Sequence, residues 1–155
     1  VFGNLEPPDV VKDFHSVSFC LSKGLGAPIG SVLVGDKEFI ETGRRWRKVL
    51  GGGMRQAGVI AAAGLYALKN NVASLSSDHE KAEDLYEVLT SRFGADSVRC
   101  ATNMLHLEIS EDLYTSLAAH LAKGGVKVGR PRWVMHRDVS NNGVAKIKQL
   151  ISSFK

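Results

Sequence analysis

Ser18-Phe19-Cys20-Leu21-Ser22-Lys23-Gly24-Leu25-Gly26-Ala27-Pro28-Ile29-Gly30-Ser31 begins as a strand and turns into a loop. Residues 17–21 alternate apolar and small side chains, the pattern of a buried or half-buried strand. Three glycines and a proline within the next stretch break any regular element and suit a loop wrapped closely round something. Residues 32–34 resume an apolar run and predict a second strand. Lys23 stands between the two, accessible yet held at the start of the glycine-rich turn. An amine nucleophile needs that situation to form a Schiff base with a carbonyl. The bland alternative is a solvated lysine in a turn. Two phosphate-binding motifs fail here. The run from Gly24 to Gly30 places its last glycine one residue too late for a dinucleotide fingerprint and carries Pro28 inside it. Ser22-Lys23-Gly24 reverses the order of a Walker A loop.

Working outward, Glu6-Pro7-Pro8-Asp9 resists helix, and Asp9 is placed to cap a short turn over 10–14, so residues 1–15 read as irregular. After the second strand, Asp36 caps a helix over 37–50 with Phe39, Ile40, Trp46 and Leu50 on its apolar side. Arg44, Arg45, Arg47 and Lys48 occupy much of the rest, and Gly51-Gly52-Gly53 ends it. Residues 55–68 are apolar on nearly every face (Val59, Ile60, Ala61, Ala62, Ala63, Leu65). They predict a helix buried between domains or subunits.

Asn70-Asn71 marks a turn. Leu75-Ser76-Ser77-Asp78 then leads into an amphipathic helix with Ala82, Leu85, Tyr86, Leu89 and Phe93 on one stripe. Glu80, Lys81, Glu83, Asp84 and Glu87 fall mostly outside it. Gly94 fits the left-handed residue past its end. Residues 102–109 alternate, with Leu105, Leu107 and Ile109 opposite Met104, His106 and Glu108, and predict a strand. Ser110 caps a helix through Leu113, Leu117, Ala118 and Leu121 that Gly124-Gly125 ends. Two short strands follow, over 126–128 and 132–136. Ser140 caps a last helix with Val144, Ile147, Leu150, Ile151 and Phe154 inward. From Ser76 onward the order expected is α-β-α-β-β-α, a helix-on-sheet layer.

The chain has 155 residues, 44% of them hydrophobic, and a formal net charge of +4, which fit a soluble globular protein. The mild basicity leaves a nucleic-acid partner as one reading. The basic residues gather at Arg44-Arg45-Trp46-Arg47-Lys48, however, with no aromatic interleaving beyond Trp46, so a local anion site explains them as well and nucleic acid comes last. Cys20 and Cys100 have no metal spacing, and Cys20 reads as an inert core thiol. No apolar run is long enough to cross a bilayer and no signal peptide is visible, which makes the cytoplasm the default location.

The run from Ser18 to Gly35, followed by Arg47-Lys48-Val49-Leu50-Gly51-Gly52-Gly53-Met54-Arg55-Gln56-Ala57-Gly58, closely resembles the low-specificity L-threonine aldolases. These are pyridoxal-phosphate enzymes of the aspartate-aminotransferase-like fold, within the β-eliminating-lyase group. The resemblance extends from about Ser16 to Ser140. It implies an α/β fold: the C-terminal part of a fold-type-I pyridoxal-phosphate enzyme. Residues 1–75 would end the large cofactor-binding domain, with an interdomain helix, and residues 76–155 would form a small α+β C-terminal domain. The family's subunits are longer, so a fragment is expected whose own N-terminal half supplies the phosphate turn, the ring-stacking histidine and the aspartate facing the pyridine nitrogen. The isolated chain would then be inactive and prone to associate.

The same resemblance implies the site. Lys23 matches the lysine that holds pyridoxal 5'-phosphate as an imine. Arg55 matches an arginine at the phosphate end, where a guanidinium beside helix N-terminal N–H groups suits a dianion. Lys48 matches another basic residue near the cofactor. Arg132, in Arg132-Trp133-Val134-Met135-His136-Arg137-Asp138-Val139-Ser140, matches the arginine that grips the substrate α-carboxylate, for which a planar fork is better than an ammonium. Arg130 is two residues away on an extended strand and is the position with which it is most easily confused. The family usually carries an aliphatic residue where Trp133 stands. His136 reads as a polar residue closing a strand, bonded to backbone. His15, His79, His106 and His120 are assigned nothing, and no metal is expected. The implied reaction is retro-aldol cleavage of L-threonine or L-allo-threonine to glycine and acetaldehyde in a homo-oligomer, with tolerance for other β-hydroxy-α-amino acids. No residue here is a good candidate for the base that takes the β-hydroxyl proton. Another pyridoxal-phosphate lyase or a racemase on the same scaffold, or a non-catalytic assembly piece, are the alternatives.

Overall fold

The computed structural model describes residues 6–155. Its described elements run α1 (Pro7–Val11), β1 (Ser16–Cys20), β2 (Ser31–Gly35), α2 (Lys37–Val49), α3 (Gly58–Asn70) and α4 (Leu75–Phe93). After a 3₁₀ turn at Ala95–Ser97 come β3 (Val98–Ala101), β4 (Met104–Leu107), α5 (Glu111–Lys123), β5 (Arg132–Val134) and α6 (Asn141–Ser153). They divide into two compact units, one running to Ala73 and one of Ser74–Lys155.

In the first unit β1 and β2 form an antiparallel pair in the register Ser16↔Gly35 to Cys20↔Ser31. The glycine-rich stretch is therefore a hairpin loop. Asp36 caps α2 by accepting the Phe39 N–H at 2.8 Å, as its position predicts. The end of α2 is a Schellman motif: Gly52 N–H donates to the Arg47 carbonyl at 2.7 Å, and Gly51 N–H to the Lys48 carbonyl at 3.2 Å. Gly51 takes the left-handed φ of +84° that this closure requires.

Three readings are corrected in this unit. Residues 7–11 are a short helix, because prolines in the first turn give up only N–H groups that have no intrahelical partner anyway. Cys20 is exposed, not in a core, and its sulfur accepts from the Ser31 hydroxyl at 3.6 Å. The apolar helix starts at Gly58, three residues later than expected, and within this chain it buries Gly64 and Ala67. Its Val59, Leu65 and Tyr66 are more than half exposed.

The second unit layers three helices on one face of the antiparallel sheet β3-β4-β5. Alternation places Val98, Leu105, Leu107 and Trp133 inward. There they pack with Ala82, Leu85 and Leu89 of α4, Leu117 and Leu121 of α5, and Val144 and Ile151 of α6. Ser110 and Ser140 cap α5 and α6 as expected, accepting from Leu113 N–H and Gly143 N–H.

The order observed is α-β-β-α-β-α, which corrects the expected one. The strand β3 is additional, joined to β4 by a two-residue turn at Thr102-Asn103 with Thr102 at φ +56°. Residues 126–128 are not a strand; Val126 instead closes a second Schellman motif, its N–H on the Leu121 carbonyl at 2.9 Å. Gly94 has φ +103° but an extended ψ of 156°, not the left-handed pair expected. Lys81 lies buried, paired with buried Asp78 at 3.3 Å along α4, where its charge suggested the outer face.

Candidate active site

The hairpin loop that carries Lys23 is closed at both ends by backbone bonds. Leu21 N–H donates to the Gly30 carbonyl at 2.9 Å, and Ala27 N–H returns to the Leu21 carbonyl at 3.0 Å. Inside this closure the Lys23 carbonyl accepts Gly26 N–H at 2.8 Å, a tight turn with Gly26 at φ +74°, which favours glycine. Leu21 and Ala27 are buried with Ala67 of α3. The side-chain amide of Asn71, at the end of that helix, donates to the Leu25 carbonyl at 2.6 Å. Backbone at Lys23 is thus restrained on two sides, and its side chain is exposed. The contribution of Asn71 was not legible beforehand, because 46 residues separate it from its acceptor.

The glycine turn after α2 carries the next two candidates. A Cβ built at Gly53 would fall 2.5 Å from Cδ of Lys48 and 3.2 Å from its Nζ. The Lys48 side chain therefore lies across Gly53, and any Cβ there would require its flexible end to shift. Arg55 is exposed two residues further on, in a turn with Gln56 at φ +50°. Arg55 lies three residues before α3 begins, so it precedes the helix N-terminus and does not stand within it. No carboxylate of the described residues lies within 4.0 Å of Lys23, Lys48 or Arg55.

Arg132 belongs to the second unit and opens β5. It pairs in register with His106, and its Nη2 donates to the Met104 sulfur at 3.1 Å. Among the described residues it has no acidic partner, whereas Arg99 is committed to Glu108 at 2.5 Å and Arg92 to the Phe154 carbonyl. Arg130 precedes β5, so the two arginines do not share the strand that the spacing suggested. Trp133 takes the inward place between them and Val134 and donates its indole N–H to the Tyr114 hydroxyl at 3.1 Å. The His136 side chain faces Asp138, its Nδ1 at 3.7 Å from the carboxylate, and not backbone. Among the described residues no group of three metal-ligating side chains is assembled.

These two sets of cations are what known proteins are to be compared with. Residues 1–112 match the family described as Beta-eliminating lyase. A low specificity L-threonine aldolase of Escherichia coli (strain K12) is 43% identical over 145 residues, covering 92% of this chain and 43% of that protein. A probable low-specificity L-threonine aldolase 2 of Arabidopsis thaliana is 51% identical over 105 residues, 66% of this chain and 30% of that one. The chain therefore spans less than half the length of these relatives. Among solved structures, a chain of Listeria monocytogenes EGD-E provisionally named an L-allo-threonine aldolase superposes with a TM-score of 0.72 at 17% identity. That superposition covers 92% of this chain and 45% of the other, and it establishes the shared α/β fold.

Proposed function

This chain belongs to the β-eliminating lyase family, and from that premise we propose that it is part of a pyridoxal-phosphate-dependent threonine aldolase. The lyase would cleave L-threonine or L-allo-threonine, with tolerance for related β-hydroxy-α-amino acids, to glycine and an aldehyde. Residues 1–75 are the end of the cofactor domain in this reading, and residues 76–155 the small domain. The observation that carries it is Lys23: an exposed amine without an acidic partner, on a loop whose backbone is closed by three hydrogen bonds.

The donor set fits the cofactor. A primary amine suits its aldehyde, and Lys48 and Arg55, both uncommitted and both at the Gly51–Gly53 turn, suit a phosphate dianion. When bound, the cofactor supplies an electron sink for the Cα–Cβ bond that breaks. Lys23 Nζ would be the amine that holds the cofactor's aldehyde, and as a free amine it would serve as a base at the site. Lys48 and Arg55 hold and orient the phosphate. Arg132 would hold the substrate α-carboxylate by a two-point fork. No residue of this chain is assigned the β-hydroxyl proton. A homo-oligomer in the cytoplasm is the setting this reading favours.

The test is a product assay on the full-length subunit that contains this chain, loaded with pyridoxal phosphate and given L-threonine and L-allo-threonine. Equal amounts of glycine and acetaldehyde are expected. Ammonia and a keto acid would replace the aldolase by β-elimination, and interconversion of enantiomers without cleavage would replace it by a racemase.

A further inference from the structure

Between the end of α5 and the start of β5 the chain has no regular structure for eight residues, 124–131. Its first part is held by the Val126 N–H on Leu121. Its last part, Gly129-Arg130-Pro131, leads directly into Arg132. A Cβ at Gly129 would meet nothing within 4 Å. The side chain that hydrogen-bonds this backbone is that of Tyr114. The Tyr114 hydroxyl lies 2.6 Å from the Arg130 carbonyl and 2.9 Å from the Gly129 carbonyl, and its single proton serves both. The same oxygen accepts the indole N–H of Trp133 at 3.1 Å. Tyr114 is buried in α5, and Trp133 is buried directly after Arg132. The Pro131 carbonyl, between them, accepts Leu107 N–H at 2.9 Å.

Arg132 is therefore bracketed. The backbone before it and the side chain after it converge on one phenolic oxygen, while Arg132 itself stays exposed and, among the described residues, its guanidinium has the Met104 sulfur as its partner. We propose that Tyr114 is a positioning residue for Arg132: its hydroxyl fixes the 129–133 segment so that the guanidinium is presented to a carboxylate already aligned. This rests on the reading of Arg132 as the carboxylate-binding arginine. It extends that reading to a residue that touches neither substrate nor cofactor. The physical basis is preorganisation. A fork that is already aimed loses less freedom when the carboxylate arrives, and the difference appears in substrate affinity.

The experiment uses the full-length subunit with pyridoxal phosphate bound and compares Tyr114→Phe, Arg132→Ala and the double variant. Tyr114→Phe removes one oxygen and keeps the ring in the core. We expect KM for L-threonine to rise about three- to tenfold, the effect of about one hydrogen bond's worth of order. The kcat should change less than about twofold and the cofactor's absorbance not at all. In the Arg132→Ala background Tyr114→Phe should add nothing to KM. Trp133→Phe, which removes the N–H but leaves the phenol, should give a smaller rise and serves if Tyr114→Phe folds poorly. The Trp133 indole N–H resonance should move in Tyr114→Phe, reporting the lost acceptor without reference to activity. A Tyr114→Phe effect that persists in full without Arg132, or that falls on kcat or thermal stability alone, overturns the positioning role while leaving Arg132 intact. A KM unchanged by Arg132→Ala overturns the reading of Arg132 itself.

Discussion

The two units of this chain are held together by different physics. The second has a continuous apolar core in which Leu85, Leu89, Leu105, Leu117, Leu121 and Ile151 are fully buried. Among the described residues of the first, the buried apolar side chains are Leu21, Ala27 and Ala67. Every large apolar residue that stands exposed among the described residues, from Val10 to Val72, belongs to the first unit. Its order comes instead from turns: the closed hairpin loop, the Schellman motif after α2 and the Asn71 amide. Two of the four proposed site residues, Lys23 and Lys48, sit on those turns, Arg55 follows three residues past the second, and Arg132 sits on a sheet edge backed by a full core. The contrast teaches that the residues proposed to hold the cofactor depend on local backbone geometry, whereas the arginine proposed to hold the carboxylate depends on packing. Exposed apolar side chains in that number are what contact with further protein would cover.

The strongest way to break this comparison is at Lys23. Lys23→Ala in the full-length subunit should lower turnover on the order of a thousandfold or more, as losing a nucleophile does. The absorbance of lysine-linked cofactor should vanish, and thermal unfolding of the second unit should not move. Undiminished turnover would end the covalent role. Next in size is the core itself. Leu85→Ala should destabilise the second unit by about 2–5 kcal/mol through loss of burial and the cavity left. Val59→Ser on the exposed face of α3 should change it by less than about 0.5 kcal/mol. Denaturant midpoints of the two variants measure the difference, and sedimentation of Val59→Ser tells whether that face carries self-association.

A sharper version concerns the arginines. Charge-assisted hydrogen bonds contribute about 1.5–3 kcal/mol each, so losing a two-point fork should cost roughly tenfold to a few hundredfold in kcat/KM. Arg132→Ala should do this with the cofactor's spectrum intact, Arg132→Lys should recover little, and Arg130→Ala should be much milder. Reversed sizes for Arg130 and Arg132 would move the assignment two residues along the chain.

The smallest effect separates the two thiols. Cys20 is exposed in the first unit, while burial, then Glu83, holds the Cys100 thiol above its ordinary range. Iodoacetamide should modify Cys20 well before Cys100. Because the folded pKa of Cys100 is raised, its contribution is fully present below the unfolded thiol value of about 8.5 and is lost as pH rises through the folded one. Stability of the second unit should therefore fall in alkali, and less so in Cys100→Ser.

Much of this fold was legible in the sequence wherever one residue type has one physical use. Asp36, Ser110 and Ser140 cap the helices they were expected to cap, and Gly51 and Gly125 close two of them with positive φ. The hairpin around Lys23 was readable because its glycines and proline leave no other element. What was missed depended on partners distant in sequence. The strand β3 has a weak pattern of its own, Val98-Arg99-Cys100-Ala101, and exists through its pairing with β4. Lys81 is buried because Asp78 goes in with it. Arg55 was placed at a helix end because the apolar run suggested an earlier start than Gly58. The Tyr114–Trp133 bond was invisible because an aromatic ring predicts burial but not the partner of its polar atom.

One small feature carries further. At Gly53 the aliphatic stem of Lys48 occupies the space that any side chain would need. The two positions are in effect a single heritable character. A lineage that acquires a side chain at 53 must shift the flexible end of the lysine, and one that keeps the lysine on this path keeps the glycine. Drift at the glycine would thus record, in a residue with no chemistry of its own, a change in where a positive charge is delivered.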